Sequence, residues 1–103
     1  KKGISLPNIA ANAALKPPFT VQFHASGLNV ANLRQKEKDS GHFRLTVSPQ
    51  DGAKPVEMDF TRGETEAILV PPAGAYVLKL DFINNTAAGK MLAESVSTPI
   101  TVE

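Results

Sequence analysis

Short runs in which apolar and polar residues alternate recur along the chain, and their period is two. The clearest run covers residues 19–26, with apolar side chains at Phe19, Val21, Phe23 and Ala25 and polar ones at Thr20, Gln22, His24 and Ser26. Successive side chains of a strand point to opposite sides of a sheet, so this period is typical of a strand with one buried face. Similar runs predict further strands over residues 3–6, 42–49, 56–60, 65–70, 76–82 and 96–102.

Turn-forming residues separate these runs. They are Pro17-Pro18, Ser26-Gly27, Asp51-Gly52, Arg62-Gly63, Pro71-Pro72-Ala73-Gly74 and Asn84-Asn85. Short strands with regular turns between them predict an all-β fold, here an immunoglobulin-like antiparallel β-sandwich of about seven strands. The 103 residues contain no internal repeat and no linker, which predicts one sandwich domain over residues 1–103.

The apolar faces of the predicted strands are expected to meet in one core between two sheets. Its predicted members are Phe19, Phe23, Phe43, Leu45, Val47, Phe60, Tyr76, Leu78, Leu80 and Phe82. Tyr76 follows the segment 71–75, which is typical of the corner of immunoglobulin-like domains where a tyrosine hydroxyl bonds a nearby backbone group. The expected role of this tyrosine concerns the fold and not the function.

Charge and composition exclude several classes of function. Eleven basic and ten acidic residues are interspersed and give a net charge of +1. The densest basic stretch, residues 34–38, is interrupted by Glu37, so we expect no binding to nucleic acid, which needs a clustered basic surface. The absence of cysteine excludes disulfides and thiolate metal sites. No apolar run reaches about 18 residues, so we expect no transmembrane segment within this chain.

Two predicted connections, residues 27–41 and 84–95, are longer than usual and carry apolar side chains among polar ones. Connections of this length are often functional, and clustered exposed apolar residues mark docking surfaces. We therefore predict that their apolar residues bind a protein partner: Leu28, Val30 and Leu33 in the first connection, then Met91 and Leu92 in the second.

Four stretches of the chain, taken together, resemble DUF4399, a family of small bacterial envelope domains of unknown function. They are residues 18–23 with Gly27 and Val30-Ala31, residues 41–45, residues 60–66 leading into 69–80, and residues 97–102. Each stretch is common by itself, but their order and spacing cover most of the chain. The resemblance implies a periplasmic or other extracytoplasmic location in a bacterium.

The family pattern is rich in histidine, which implies a metal site in those relatives. This sequence departs from that pattern: His42 is followed by Phe43 and Arg44, and Asp59 stands where a histidine would precede Phe60. The resemblance therefore carries over the fold but not the metal site. His42 and Asp59 remain weak candidate metal ligands, and no cofactor is expected.

The histidines themselves give little support to metal chemistry. The sequence has two, His24 and His42, and alternation predicts both on outward, polar faces. Useful affinity for a transition metal needs three or four converging ligands.

Candidate catalytic groups are also poorly arranged. Asp39, Ser40 and His42 are almost adjacent, whereas a working triad is assembled across a fold. Glu64 and Glu66 share one face of a strand, and no cleft is expected between them. We therefore predict that the protein is not an enzyme.

These observations favour a non-enzymatic interaction or structural domain, an accessory or scaffolding subunit that docks on a larger bacterial envelope or membrane complex. One alternative is a residual periplasmic domain that binds copper or zinc. A second alternative is a carbohydrate-binding module, which is less favoured because all six aromatic residues fit core positions rather than an exposed platform.

Overall fold

The structure, a computed structural model, describes residues 2–32, 34, 40–86 and 90–103. These residues contain strands and no helix, which confirms the predicted all-β fold. The strands are β1 (Gly3–Ser5), β2 (Ala13–Leu15), β3 (Phe19–Gln22), β4 (His24–Ser26), β5 (Asn29–Val30), β6 (Ser40–Pro49), β7 (Val56–Phe60), β8 (Glu66–Leu69), β9 (Gly74–Asn84) and β10 (Val96–Val102). Within the described ranges, no helix is long and apolar enough to cross a membrane.

The larger sheet is built on two long antiparallel strands, β6 and β9, which pair from Gly41↔Asn84 to Pro49↔Tyr76. β10 joins β9 in the antiparallel direction, and β2 joins β10 in the parallel direction. The edge of β6 opposite β9 carries two short partners. β5 pairs in parallel with the start of β6, and β7 pairs antiparallel with its middle, from Phe43 to Val47.

The smaller layer contains two antiparallel pairs, β1 with β4 and β3 with β8. β3 and β4 follow one another with Phe23 alone between them. The ring of Phe23 reaches the larger sheet, where its centroid lies 5.2 Å from Phe43 and 5.0 Å from Phe60. Phe43 in turn contacts Phe82 edge-on at 5.1 Å. The aromatic rings therefore join the two layers through one core.

Most of the predicted core is buried as expected. Of its ten predicted members, Phe19 and Phe60 are half-buried against the core, and the others are buried. Leu6 and Ile9 also enter the core, and Ile9 comes from a segment in which the alternation predicts no strand. The tyrosine corner is confirmed, since the Tyr76 hydroxyl donates a hydrogen bond to the Pro72 carbonyl oxygen at 2.7 Å.

The strand pattern differs from the prediction at its shortest elements. Every predicted strand is present, although the run 19–26 is divided into β3 and β4. β2 and β5 were not predicted, because three and two residues are too few to show an alternation. β2 and β5 also pair in parallel with their neighbours, whereas the predicted sandwich was antiparallel throughout.

Candidate docking groove and polar network

His42 occupies an outward position on β6, but it is buried rather than solvated, with 5% of its surface exposed. Its Nδ1 lies 2.9 Å from Oδ1 of Asn85, which is also buried. The side-chain Nδ2 of Asn85 donates to the Asn32 carbonyl oxygen at 2.8 Å, and its backbone N–H donates to the Ser40 carbonyl oxygen at 2.9 Å. The sequence-based prediction of an exposed histidine is therefore wrong, because the two long connections meet over this end of the sheet.

Asp59, the other weak metal candidate, lies beside His42 but binds an arginine. Its Oδ1 is 3.9 Å from His42 Nε2, whereas Arg44 Nε donates to the same oxygen at 2.7 Å. Arg44 Nε also lies 3.7 Å from Glu57 Oε1. The hydrogen bond to Asp59 raises the pKa of Arg44, and the nearby charges of Glu57 and Asp81 act in the same direction. The main partner of the Asp59 carboxylate is thus the guanidinium group of Arg44 in the same sheet.

The second long connection folds back onto the end of β9. Asp81 is buried and accepts a hydrogen bond from the Ser95 hydroxyl. Ile83 forms an antiparallel bridge with Met91, and the amide of Leu92 donates to the Phe82 carbonyl oxygen at 3.1 Å. This arrangement explains why a polar outward position such as Asp81 is shielded from solvent.

Across the part of the chain that the structure describes, no three histidine, cysteine, aspartate or glutamate side chains converge as a metal site. His24 is exposed on β4, in the smaller layer, where it pairs with Ser5. His42 belongs to the larger sheet. The structure therefore brings His42 and Asp59 together and leaves His24 in the other layer.

The predicted partner-binding residues that the structure describes differ in their exposure to solvent. Leu28 and Val30 are half-buried and pack against the core, because β5 ties this connection to the start of β6. Leu33 lies outside the described residues. Leu92 is half-buried against the core, whereas Met91 is 55% exposed.

A largely apolar groove of about 440 Å³ lies elsewhere, between the strand β7 of the larger sheet and the end of β8 in the smaller layer. Its floor includes the buried residues Val47, Leu69 and Tyr76, and its rim carries Val56 and Val70, which are 58% and 72% exposed. Met58 from β7 also lines it. We refer to this feature as the β7–β8 groove.

The groove exists because the two layers have unpaired edges at this position. Among the described strands, β7 pairs with β6 alone and β8 pairs with β3 alone. The inward side chains of β7 pair across the ladder with core residues of β6, such as Met58 with Leu45. With no further strand beside β7 in the described ranges, Val56, Met58 and Phe60 are only partly covered.

Comparison with known families identifies the chain. Residues 21–103 match the family model described as Domain of unknown function (DUF4399). The chain belongs to the DUF4399 family. This confirms the family that the sequence resembles, and the match includes β7, β8 and the polar network. A search of curated proteins found no match.

Another pocket of this DUF4399 domain lies near the opposite end of β7. It is lined by Asn32, Arg34, Thr61 and Arg62 and has a volume of about 530 Å³. An antiparallel bridge between Asn32 and Arg62 joins the two loops that form it. The four residues of this lining all have polar or charged side chains, whereas apolar side chains dominate the lining of the β7–β8 groove.

The sequence contained a partial indication of the groove in the DUF4399 chain. Val70 directly precedes two prolines, and Val56 directly follows one, so both valines border turns rather than strand centres. Alternation assigns Val56 to the inward face, but it does not say whether anything covers that face. The exposure of these valines depends on which strands lie at the sheet edges, which is a property of the topology.

Proposed function

We propose that this DUF4399 domain is a non-enzymatic interaction domain that docks on a larger complex of the bacterial envelope through the β7–β8 groove. Its role would be that of an accessory or scaffolding subunit, with a protein as the partner. The observation that carries the proposal is the apolar groove itself. Clustered apolar surface is costly to leave in water and commonly marks a binding site.

The exposure of Val56 and Val70 supports docking at this groove rather than at the long connections. Both valines have more than half of their surface in solvent and lie on the rim of one concave surface. Leu28 and Val30, by contrast, already pack against the core. A partner that covered the groove would bury the two valines and would also shield the partly covered Met58.

A non-catalytic role is supported by the arrangement of the outward polar groups, which bind one another. Arg44 bonds Asp59, and His42 bonds Asn85. A structural network of this kind is expected to orient strands and connections. The extracytoplasmic location remains part of the proposal and rests on the envelope character that the family resemblance implies.

Metal binding is the second candidate function, and the observation in its favour is the proximity of His42 Nε2 to Asp59 Oδ1 at 3.9 Å. A metal ion there would compete with Arg44 for the carboxylate and with Asn85 for the imidazole. Docking is favoured because the groove offers apolar surface without such competition.

The test is purification of the protein from its native membranes under mild detergent, followed by identification of the proteins that accompany it. Wild type would be compared with Val70→Lys, on the groove, and with Ile68→Lys as a matched control. Ile68 is 67% exposed and does not line the groove, so both changes add one charge at an exposed site near β8. Substitutions at such positions usually change stability by about 0.5 kcal/mol or less.

We expect Val70→Lys to lose a stoichiometric partner that wild type and Ile68→Lys retain. Thermal melting of both variants checks that they remain folded. If the two variants retain the partner equally, docking through the β7–β8 groove is wrong. If wild type is recovered as a monomer carrying copper or zinc, the metal-binding alternative replaces it.

A further inference from the structure

The open edge of β7 suggests how the partner binds. We propose that the partner contributes an extended segment that pairs with β7 as an added strand, with apolar residues in the groove and basic residues on the outward face. This inference rests on the proposed docking function and adds to it the conformation and chemistry of the partner.

The backbone of β7 supplies the first part of the argument. β7 bonds β6 along one edge, and no described strand pairs with its other edge. An unpaired edge presents a row of backbone N–H and C=O groups that can bind an extended peptide. Main-chain pairing of this kind requires a strand and not a particular sequence, so the side chains must provide the specificity.

The inward side chains of β7 supply the second part. Val56, Met58 and Phe60 alternate toward the core and are only partly covered. A strand added beside β7 in the same sheet would place its own inward residues next to these three, opposite Leu69 and Val70 on the smaller layer. Such residues must be apolar and spaced two apart, because the pleat repeats every two residues. The added strand would thus extend the core into the groove.

The outward face of β7 supplies the third part, which concerns charge. Glu57 and Asp59 are its two outward residues within the strand. Arg44 on β6 already bonds Asp59 and lies 3.7 Å from Glu57. The other side of β7 would receive the added strand, whose outward residues would stand beside the same two carboxylates. Lysine or arginine at those positions complements the charge, whereas acidic residues would be repelled.

The same charges disfavour a second copy of this chain as the partner. In an antiparallel β7–β7 pair with continuous inward faces, each outward carboxylate would face Glu57 or Asp59 of the other copy. This holds in the register that pairs the whole of β7, where Glu57 of each copy would face Asp59 of the other. A shift of two residues would still place one pair of like carboxylates opposite each other, while leaving fewer residues of β7 paired. Like charges directly opposite each other destabilise a strand pair. We therefore infer a different protein with an extended segment in which apolar and basic residues alternate.

The experiment uses a capped seven-residue peptide in which lysine and valine alternate. One control peptide alternates glutamate and valine, and another keeps the lysine and valine composition but groups the residues in two blocks. Binding would be followed by amide chemical shifts and by hydrogen exchange of the full chain. We expect the alternating lysine peptide to shift and protect amides within Val56–Phe60, with an affinity at least about tenfold above both controls.

A charge-reversal variant tests the proposed orientation. Glu57→Lys should weaken binding of the lysine–valine peptide by about tenfold and should strengthen binding of the glutamate–valine peptide. Glu103→Lys is the matched control, since Glu103 is exposed beyond β10, which β9 and β6 separate from β7. It should leave both affinities within about twofold.

Strand addition is overturned if the blocked peptide binds as well as the alternating one, because charge attraction alone would then suffice. It is also overturned if the protected amides lie outside β7. Suppose that Val70→Lys releases the partner, that none of the peptides binds, and that hydrogen exchange of the β7 amides is unchanged in the purified complex. These results together would contradict strand addition but would leave groove docking in place. If Val70→Lys fails to release the partner, groove docking itself is wrong, whatever the peptides do.

Discussion

Nδ1 of His42 lies 2.9 Å from Oδ1 of Asn85, and both side chains are buried. The same asparagine donates through Nδ2 to the Asn32 carbonyl oxygen. Asn85 Oδ1 can only accept a hydrogen bond, so this contact forms in the tautomer that carries its hydrogen on Nδ1 of His42. One asparagine therefore joins β6 to the two long connections at this end of the sheet.

The first prediction concerns that asparagine. Asn85→Ala would leave His42 Nδ1 and the Asn32 carbonyl without this partner, so we expect the free energy of unfolding to fall by about 2–4 kcal/mol. Chemical denaturation provides the measurement. Asn84→Ala is the control, because Asn84 bonds Thr86 within a local turn and should cost about 1 kcal/mol or less. Equal losses in the two variants would contradict a structural role for the buried pair.

A second prediction concerns the close approach of Gly41 to β9. A Cβ atom at Gly41 would lie 2.6 Å from Cε2 of Phe82 and would also contact the Ile83 carbonyl oxygen. Gly41→Ala should therefore destabilise the domain by about 1–3 kcal/mol through overpacking. Gly3→Ala is a matched control, since nothing lies within 4 Å of its added Cβ. The midpoints of denaturation of the two variants should differ clearly, and coincident midpoints would contradict the close packing.

The third prediction separates core packing from docking in the first long connection. Replacing Leu28 and Val30 together with serine should lower the free energy of unfolding by about 2–5 kcal/mol, because both side chains pack against the core. Thermal melting measures the effect. A variant that melts like wild type but loses its partner would restore this connection as the docking surface.

The fourth prediction concerns metals. We expect calorimetry to show no copper, nickel or zinc binding tighter than micromolar. The reason is that Arg44 already bonds the Asp59 carboxylate and Asn85 already bonds the His42 ring. Submicromolar one-to-one binding that is lost in a folded His42→Ala variant and retained in His24→Ala would favour the metal-binding function instead.

The sequence predicted the parts of the fold that local alternation can specify. β6 and β9 were found because their residues alternate between the core and the outer face over many positions. Tyr76 was assigned correctly because the corner is a local arrangement of turn residues and one tyrosine. The family was recognised from the order of such segments.

Features that depend on long-range packing were not predicted. His42 alternates outward, but the connection after β9 covers it, and no local pattern shows how such a connection folds back. At least some of Leu28, Val30 and Leu33 were expected to be exposed or half-exposed; Leu28 and Val30 are half-buried, and the sequence did not predict the strand β5 that ties this connection to β6. The β7–β8 groove depends on which strands lack neighbours, so its prediction would have required knowledge of the sheet topology.

Docking through the β7–β8 groove is tested most directly by photo-crosslinking in the native cell. A photoreactive residue would replace Val56, Val70, Ile68 or Met91, all of which are exposed. We predict that positions 56 and 70 crosslink to the same protein, in a segment where apolar and basic residues alternate, and that positions 68 and 91 do not. Crosslinking at position 91 without crosslinking at 56 or 70 would contradict docking through the groove.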